Sequence, residues 1–141
     1  FSEKVKVYCV DTFQGTSGEP EMVNKLAALG IAKGQSFFHL FWRNVETAGL
    51  RDTILPIIRP SVEAARLFMP GSCEAVFLDA AHDYHSVYTD LNAWAPAVGN
   101  GGTLIGHDVR WGEVHLALSH WCSRNRMSFV REGSCWRIVG F

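Results

Sequence analysis

Two short stretches decide the fold: Ala-Val-Phe-Leu-Asp-Ala-Ala-His at 75–82 and Thr-Leu-Ile-Gly-His-Asp at 103–108. Each is an apolar run that stops at polar residues, as is typical of a strand buried in a parallel sheet. The residues between them repeat apolar side chains at helical spacing: Val87, Leu91 and Trp94. The order strand, helix, strand predicts a βαβ unit, whose two strands run in the same direction and end at the same edge of a sheet.

The same alternation extends outward through most of the chain. Strand patterns occur at 5–10 and 53–58, and helix patterns occur at 20–30, 37–48, 61–68 and 114–121. The segments 127–131 and 135–141 predict a C-terminal antiparallel hairpin. We therefore predict an α/β fold, a mostly parallel sheet with helices on both faces, in a single domain over 1–141. The run at 75–78 is expected to be covered on both faces.

Composition excludes several classes of protein. Among 141 residues, 48% are hydrophobic and 19% are charged, which excludes a disordered chain. Thirteen basic against fourteen acidic side chains give a net charge of -1, so we expect neither a nucleic-acid nor a membrane partner. The four cysteines form no C-x-x-C pair; two disulfides are allowed, but free thiols in a reducing, cytoplasmic location are favoured.

Polar residues follow the predicted strands where an open α/β sheet binds its ligands. They are Asp11, Ser61, Asp79, His107 and Asp108. Asp11 could accept both hydroxyls of a ribose, while Asp79 and Asp108 follow neighbouring strands and could converge on a cation or a substrate hydroxyl. The alternative for each aspartate is that it caps the following helix, as Ser61 is also placed to do.

The histidines allow two interpretations. His82 and His85 lie three residues apart and could share one helix face as ligands, or they could be surface residues at a helix start. The His-Asp pairs also invite comparison with metal phosphohydrolases of the HD type. That fold is all-helical, and the strand patterns at 75–78 and 103–106 contradict it.

Three motifs stand in order in the second half of the chain. They read D-x-x-H-x-Y from Asp79 to Tyr84, D-L-x-x-W-x-P from Asp90 to Pro96, and G-G-x-x-x-x-H-D from Gly101 to Asp108. Together they resemble the class I S-adenosylmethionine-dependent methyltransferases, most closely a branch that methylates small molecules. The resemblance implies a Rossmann-like methyltransferase fold, a small-molecule acceptor and O-methylation.

The resemblance also implies roles for individual residues. It places cofactor contacts at Asp11, Thr12, Phe13, Ser61 and Asp79, with Asp11 on the ribose and Ser61 near the adenine. It implies catalytic roles for Asp79, His82 and His107.

A divalent metal is a further implication of the resemblance. Related metal-dependent enzymes have acidic ligands at the positions of Asp79, His107 and Asp108. Because His107 replaces an acid and magnesium prefers oxygen ligands, the pattern leaves room for a softer metal or for none.

One part of the family pattern is missing. Its first strand and Gly-rich loop should precede Asp11 by about 20 residues, and Phe1 leaves room for neither. We therefore expect an N-terminally truncated domain, or one whose gap is closed by direct pairing of the neighbouring strands or by a partner chain. The alternative function is a degenerate domain without catalytic activity that acts through self-association, as a homo-oligomer, or through a partner.

Overall fold

The computed structural model describes residues 5–15, 20–32 and 34–141. Contacts group the chain into two units, Phe1–Pro60 and Ser61–Phe141, and each unit is described by itself. The prediction of a single domain stays a prediction. The absence of a first strand was inferred from the position of Phe1, and Phe1 lies outside the described residues. No helix in the described part of the chain is long and apolar enough to cross a membrane.

The first unit is a parallel strand pair connected through two helices. Its elements are β1 (Val7–Asp11), α1 (Pro20–Ala28), α2 (Phe38–Thr47) and β2 (Ile54–Ile58). The ladder runs in register from Val7 opposite Ile54 to Asp11 opposite Ile58. The strand and helix predictions for this half of the chain are therefore confirmed.

Aromatic packing around Phe13 forms the core of this unit. Phe13 is only 3% exposed, and its ring centroid lies 5.7, 5.1 and 4.9 Å from those of Phe37, Phe38 and Phe41. Its backbone adopts a φ of 55°, which few residues other than glycine tolerate. The carboxylate of Asp11 accepts a 2.7 Å hydrogen bond from the Phe13 amide and stabilises this turn at the end of β1.

The second unit contains a four-stranded mixed sheet. Its elements are α3 (Ser61–Ala65), β3 (Cys73–Leu78), α4 (Tyr84–Trp94), β4 (Val98–Gly106), α5 (Gly112–Asn125), β5 (Ser128–Glu132) and β6 (Cys135–Val139). The strand order is β3-β4-β6-β5. β3 and β4 are parallel, whereas β6 is antiparallel to both of its neighbours. The α/β class and the C-terminal antiparallel hairpin are confirmed.

The core of the second unit lies on one face of this sheet. Helices α4 and α5 contact each other, and their Leu91 and Leu118 are fully buried, as is Leu104 of β4. Side chains alternate between the two faces of a strand, so Val76 is buried while Phe77 is 55% exposed. The expectation that this strand is covered on both faces is therefore wrong for Phe77, whose side chain is largely exposed.

A buried polar group connects α3 to α4. Asp90 of α4 is 7% exposed and forms a hydrogen bond with the Ser61 side chain. The Ser61 hydroxyl also accepts a 2.9 Å hydrogen bond from the Trp94 indole. Burial raises the pKa of Asp90, although the hydrogen bond from Ser61 acts in the opposite direction.

The raised pKa of Asp90 predicts how stability depends on pH. A folded-state pKa above the unfolded value favours folding below the unfolded pKa of 3.8, and this contribution is lost as pH rises through the folded pKa. We expect wild-type stability to fall relative to Asp90→Asn as pH rises from about 4 toward neutrality. Denaturant unfolding of both proteins across this pH range measures the difference.

The matched control is Asp83→Asn. Hydrogen bonds from Ser86 hold the pKa of Asp83 below its usual range, so its contribution is present at higher pH and lost as pH falls. A stability difference between wild type and Asp90→Asn that stays constant with pH, or that grows as pH rises, would contradict the assignment of Asp90.

A close approach between strands makes a glycine necessary at the end of β4. A Cβ on Gly106 would overlap the Trp136 ring and would lie 2.5 Å from the carbonyl oxygen of Leu78. Trp136 is 2% exposed and opposes Gly106 in the β4–β6 pairing. The missing side chain therefore allows the hairpin indole to pack directly on the end of β4.

We expect Gly106→Ala to destabilise the fold by about 1–3 kcal/mol, the usual effect of forcing atoms into a packed interior. Gly112→Ala is the control, because nothing lies within 4 Å of the Cβ position at this first residue of α5. Thermal and denaturant unfolding compare the two variants. Equal melting temperatures for the two would show that the indole does not require a glycine.

Candidate functional site

The register of two parallel strands positions the candidate site. Leu78 at the end of β3 opposes Gly106 at the end of β4, and the His107 amide donates a 3.1 Å hydrogen bond to the Leu78 carbonyl. Asp79 and Asp108 therefore leave the sheet at the same edge, as the sequence predicts.

Three side chains converge there and form what we call the acid-histidine cluster: Asp79, His82 and Asp108. His82 Nε2 lies 2.9 Å from Asp108 Oδ2 and 3.9 Å from Asp79 Oδ1. One potential ligand atom from each residue lies within 4.8 Å of the others. Asp79 is half exposed, whereas the His82 side chain is 19% exposed, so the cluster opens to solvent on the Asp79 side.

The start of α4 holds His82 in place. Asp83 caps this helix, and its side chain accepts a 3.0 Å hydrogen bond from the Ser86 amide. The Tyr84 amide donates to a Glu113 carboxylate oxygen of α5 at 2.9 Å. His82 precedes the helix, so it does not share a helix face with His85, which is exposed in the first turn.

Trp111 is a site residue that sequence analysis did not identify. Its ring centroid lies 4.6 Å from that of His82, and its amide donates a 2.9 Å hydrogen bond to the Asp108 carbonyl. It is nevertheless 54% exposed, so it presents an apolar ring beside the cluster. Its position three residues after Asp108 was the only available signal, and a tryptophan there is equally compatible with core packing.

His107 contacts Ser134 through one ring nitrogen and Asp108 through the other. Its Nε2 lies 2.8 Å from Ser134 Oγ, and its Nδ1 lies 3.1 Å from Asp108 Oδ2. The ligand set predicted from the sequence, Asp79, His107 and Asp108, is therefore not the set that the geometry brings together. The set that converges contains His82, while His107 contacts Asp108 through Nδ1 and Ser134 through Nε2.

The predicted cofactor residues have mixed positions. Asp11 is exposed at the end of β1, with one carboxylate oxygen directed to the Phe13 amide, and Thr12 is half-buried. The Phe13 ring is a core side chain and is not available for stacking on a ligand. Ser61 is the first residue of α3, and its hydroxyl contacts Asp90 and the Trp94 indole.

The acid-histidine cluster has the donor set of a divalent-cation site. Two carboxylates and one imidazole meet within ligand-sharing distance. Magnesium is commonly held through one or two carboxylates with substrate completing its shell, whereas manganese, iron and zinc also accept imidazole. The residues present therefore fit a divalent cation, and the imidazole favours a transition metal if His82 is itself a ligand.

Parallel strands joined through helices, with acidic residues after the strand ends, are features of a Rossmann-like fold. Residues 2–109 match the family model described as a methyltransferase domain, and the chain belongs to this family. Comparison with curated proteins gives no match.

Solved structures share the fold at low sequence identity. The O-methyltransferase NovP is 16% identical to this chain, with a TM-score of 0.64. The match covers 96% of this chain and 60% of NovP. CalS11, a TDP-rhamnose 3'-O-methyltransferase, is 12% identical with a TM-score of 0.58, covering 94% and 58%. MycE methyltransferase, in complex with Mg and SAH, is 14% identical with a TM-score of 0.54, covering 96% and 45%. The chain thus spans about three-fifths of the length of NovP and CalS11.

Proposed function

We propose that this chain is the S-adenosylmethionine-dependent domain of an O-methyltransferase that acts on a hydroxyl group of a small molecule. The observation that supports the proposal is the acid-histidine cluster, in which an imidazole and two carboxylates meet at the strand ends of a methyltransferase-family domain. Structural neighbours that are named as O-methyltransferases, one of them for a nucleotide sugar, support the small-molecule acceptor.

The reaction requires a base because a hydroxyl is a weak nucleophile at neutral pH. The acceptor oxygen forms a bond to the methyl carbon while the bond from that carbon to the sulfonium sulfur breaks. The cofactor leaves as the neutral thioether S-adenosylhomocysteine, and the hydroxyl proton passes to the protein. Alignment of the two reactants supplies most of the remaining acceleration.

We assign the base role to His82. The Asp108 and Asp79 carboxylates lie 2.9 and 3.9 Å from its Nε2 and orient the ring, so we propose that the other ring nitrogen, Nδ1, accepts the hydroxyl proton. Contact with Trp111 and partial burial hold the ring orientation, so proton transfer needs little rearrangement. Solvent access on the Asp79 side leaves room for an acceptor.

Asp79 and Asp108 are proposed to hold a divalent cation, as oxygen ligands on either side of the base. When bound, the cation would act as a Lewis acid toward the acceptor oxygen. MycE, whose structure contains Mg and SAH, is a precedent within the fold for a methyltransferase with a divalent cation. His107 is not assigned to catalysis in this proposal, because Ser134 engages its ring.

Asp11 is proposed to accept the ribose hydroxyls of the cofactor. It ends β1, its carboxylate is exposed, and the Phe13 amide fixes its direction. The proposed contacts of Thr12 and Phe13 are through their backbone, since the Phe13 ring is buried. At Ser61 the backbone amide is proposed as the adenine contact, because the hydroxyl is engaged by Asp90 and Trp94.

The cofactor assignment is tested by calorimetric titration of the full protein with S-adenosylmethionine and with S-adenosylhomocysteine. We expect binding of both and a loss of about tenfold or more in Asp11→Asn, equivalent to about 1.4 kcal/mol. Asp52→Asn is the control, since Asp52 is an exposed acid of the same unit. Absence of binding by the wild type would refute cofactor use and favour a degenerate domain.

The base assignment is tested with His82→Gln. We expect methyl transfer to a panel of hydroxylated small molecules to fall by about 100-fold or more, while Mn²⁺ binding is unchanged. His85→Gln, an exposed neighbour, should retain full activity. Loss of Mn²⁺ binding in His82→Gln would instead make His82 a ligand and overturn the base role.

A further inference from the structure

The C-terminal hairpin contacts the candidate site through a serine that is far away in sequence. Ser134 lies 27 residues from His107, and its Oγ forms a 2.8 Å hydrogen bond with His107 Nε2. On the other side of the same ring, Nδ1 lies 3.1 Å from Asp108 Oδ2. A hydroxyl and a carboxylate thus contact the two nitrogens of one imidazole ring.

Each nitrogen of the His107 ring has its own partner. Nδ1 faces the Asp108 carboxylate, and Nε2 forms a hydrogen bond with the Ser134 hydroxyl whose direction depends on the tautomer of the ring. In this arrangement His107 cannot use Nε2 to ligate a cation without losing its partner.

The backbone that carries Asp108 depends on the same hairpin. Asp108 has a φ of 58°, a left-handed conformation that aspartate tolerates better than most residues. The Val109 amide donates a 3.0 Å hydrogen bond to the Ser134 carbonyl, and the Trp136 indole donates a 3.0 Å hydrogen bond to the His107 carbonyl. The hairpin therefore holds this turn through both backbone and side-chain contacts.

We propose that Ser134 and His107 are positioning residues that orient the Asp108 carboxylate toward a divalent cation in the acid-histidine cluster. This inference rests on the proposed cation site. A residue that contacts a metal ligand without touching the metal contributes to affinity, because it holds the ligand in its metal-binding orientation before the cation binds. Ser134, on the hairpin turn, would perform this role from an element that holds none of the proposed ligands.

The test is Mn²⁺ binding to the full protein. Calorimetry measures the affinity, and the electron paramagnetic resonance spectrum reports the surroundings of the bound ion. We expect Ser134→Ala to weaken Mn²⁺ binding by about 10–100-fold and to change the spectrum, while affinity for S-adenosylmethionine is unchanged. Ser134→Thr keeps the hydroxyl and should restore wild-type binding. Ser119→Ala is the control, because that hydroxyl bonds only within the exposed surface of α5, to the His115 carbonyl.

The outcomes separate the two proposals. A wild type that binds no Mn²⁺ overturns the cation site and the positioning role together. If Ser134→Ala binds Mn²⁺ as tightly as the wild type does, the positioning role is overturned and the cation site is retained. If Ser134→Ala does not fold, the comparison is made with Ser134→Cys, whose weaker donor should give intermediate affinity; wild-type affinity in that variant also overturns the role.

Discussion

The parallel pairing of β3 with β4 is the constraint on which the candidate site depends. With Leu78 opposite Gly106, the residues that follow each strand emerge side by side, although 29 positions separate Asp79 from Asp108 in the chain. A shift of one residue in this register would turn the buried face of β3 outward and separate the two carboxylates. The same pairing thus determines both the core of the second unit and its chemistry.

The hairpin of β5 and β6 secures this arrangement from the other side of β4. Trp136 packs on the bare backbone of Gly106 and bonds the His107 carbonyl, while Ser134 engages the His107 ring. A packing contact and a polar contact therefore converge on the two residues that follow β4. Loss of the hairpin would remove contacts from the turn that carries Asp108. The start of α4 would keep its own contacts with Asp83 and Glu113.

Local patterns were sufficient for the strands, the helices and the two aspartates at the strand ends, because each depends on residues close in sequence. They did not show which distant residues contact the candidate site. The metal role of His107 and the capping role of Ser61 stay predictions, and the structure adds that Ser134 contacts His107 while Asp90 and Trp94 contact the Ser61 hydroxyl. The exposure of Phe77 was also missed, because a continuous apolar run does not show how many layers pack on a strand.

The sequence by itself determined the order of strands and helices, the likeness to the methyltransferases, and the placement of acids after neighbouring strands. Hydrophobic periodicity and strand-end polarity are local properties, and they can be read without knowing any contact. Only the tertiary structure decided which histidine joins Asp79 and Asp108, and which one turns to the hairpin. That choice depends on distances across the fold: His107 Nε2 forms a 2.8 Å hydrogen bond with Ser134 on the hairpin, whereas His82 Nε2 faces both carboxylates.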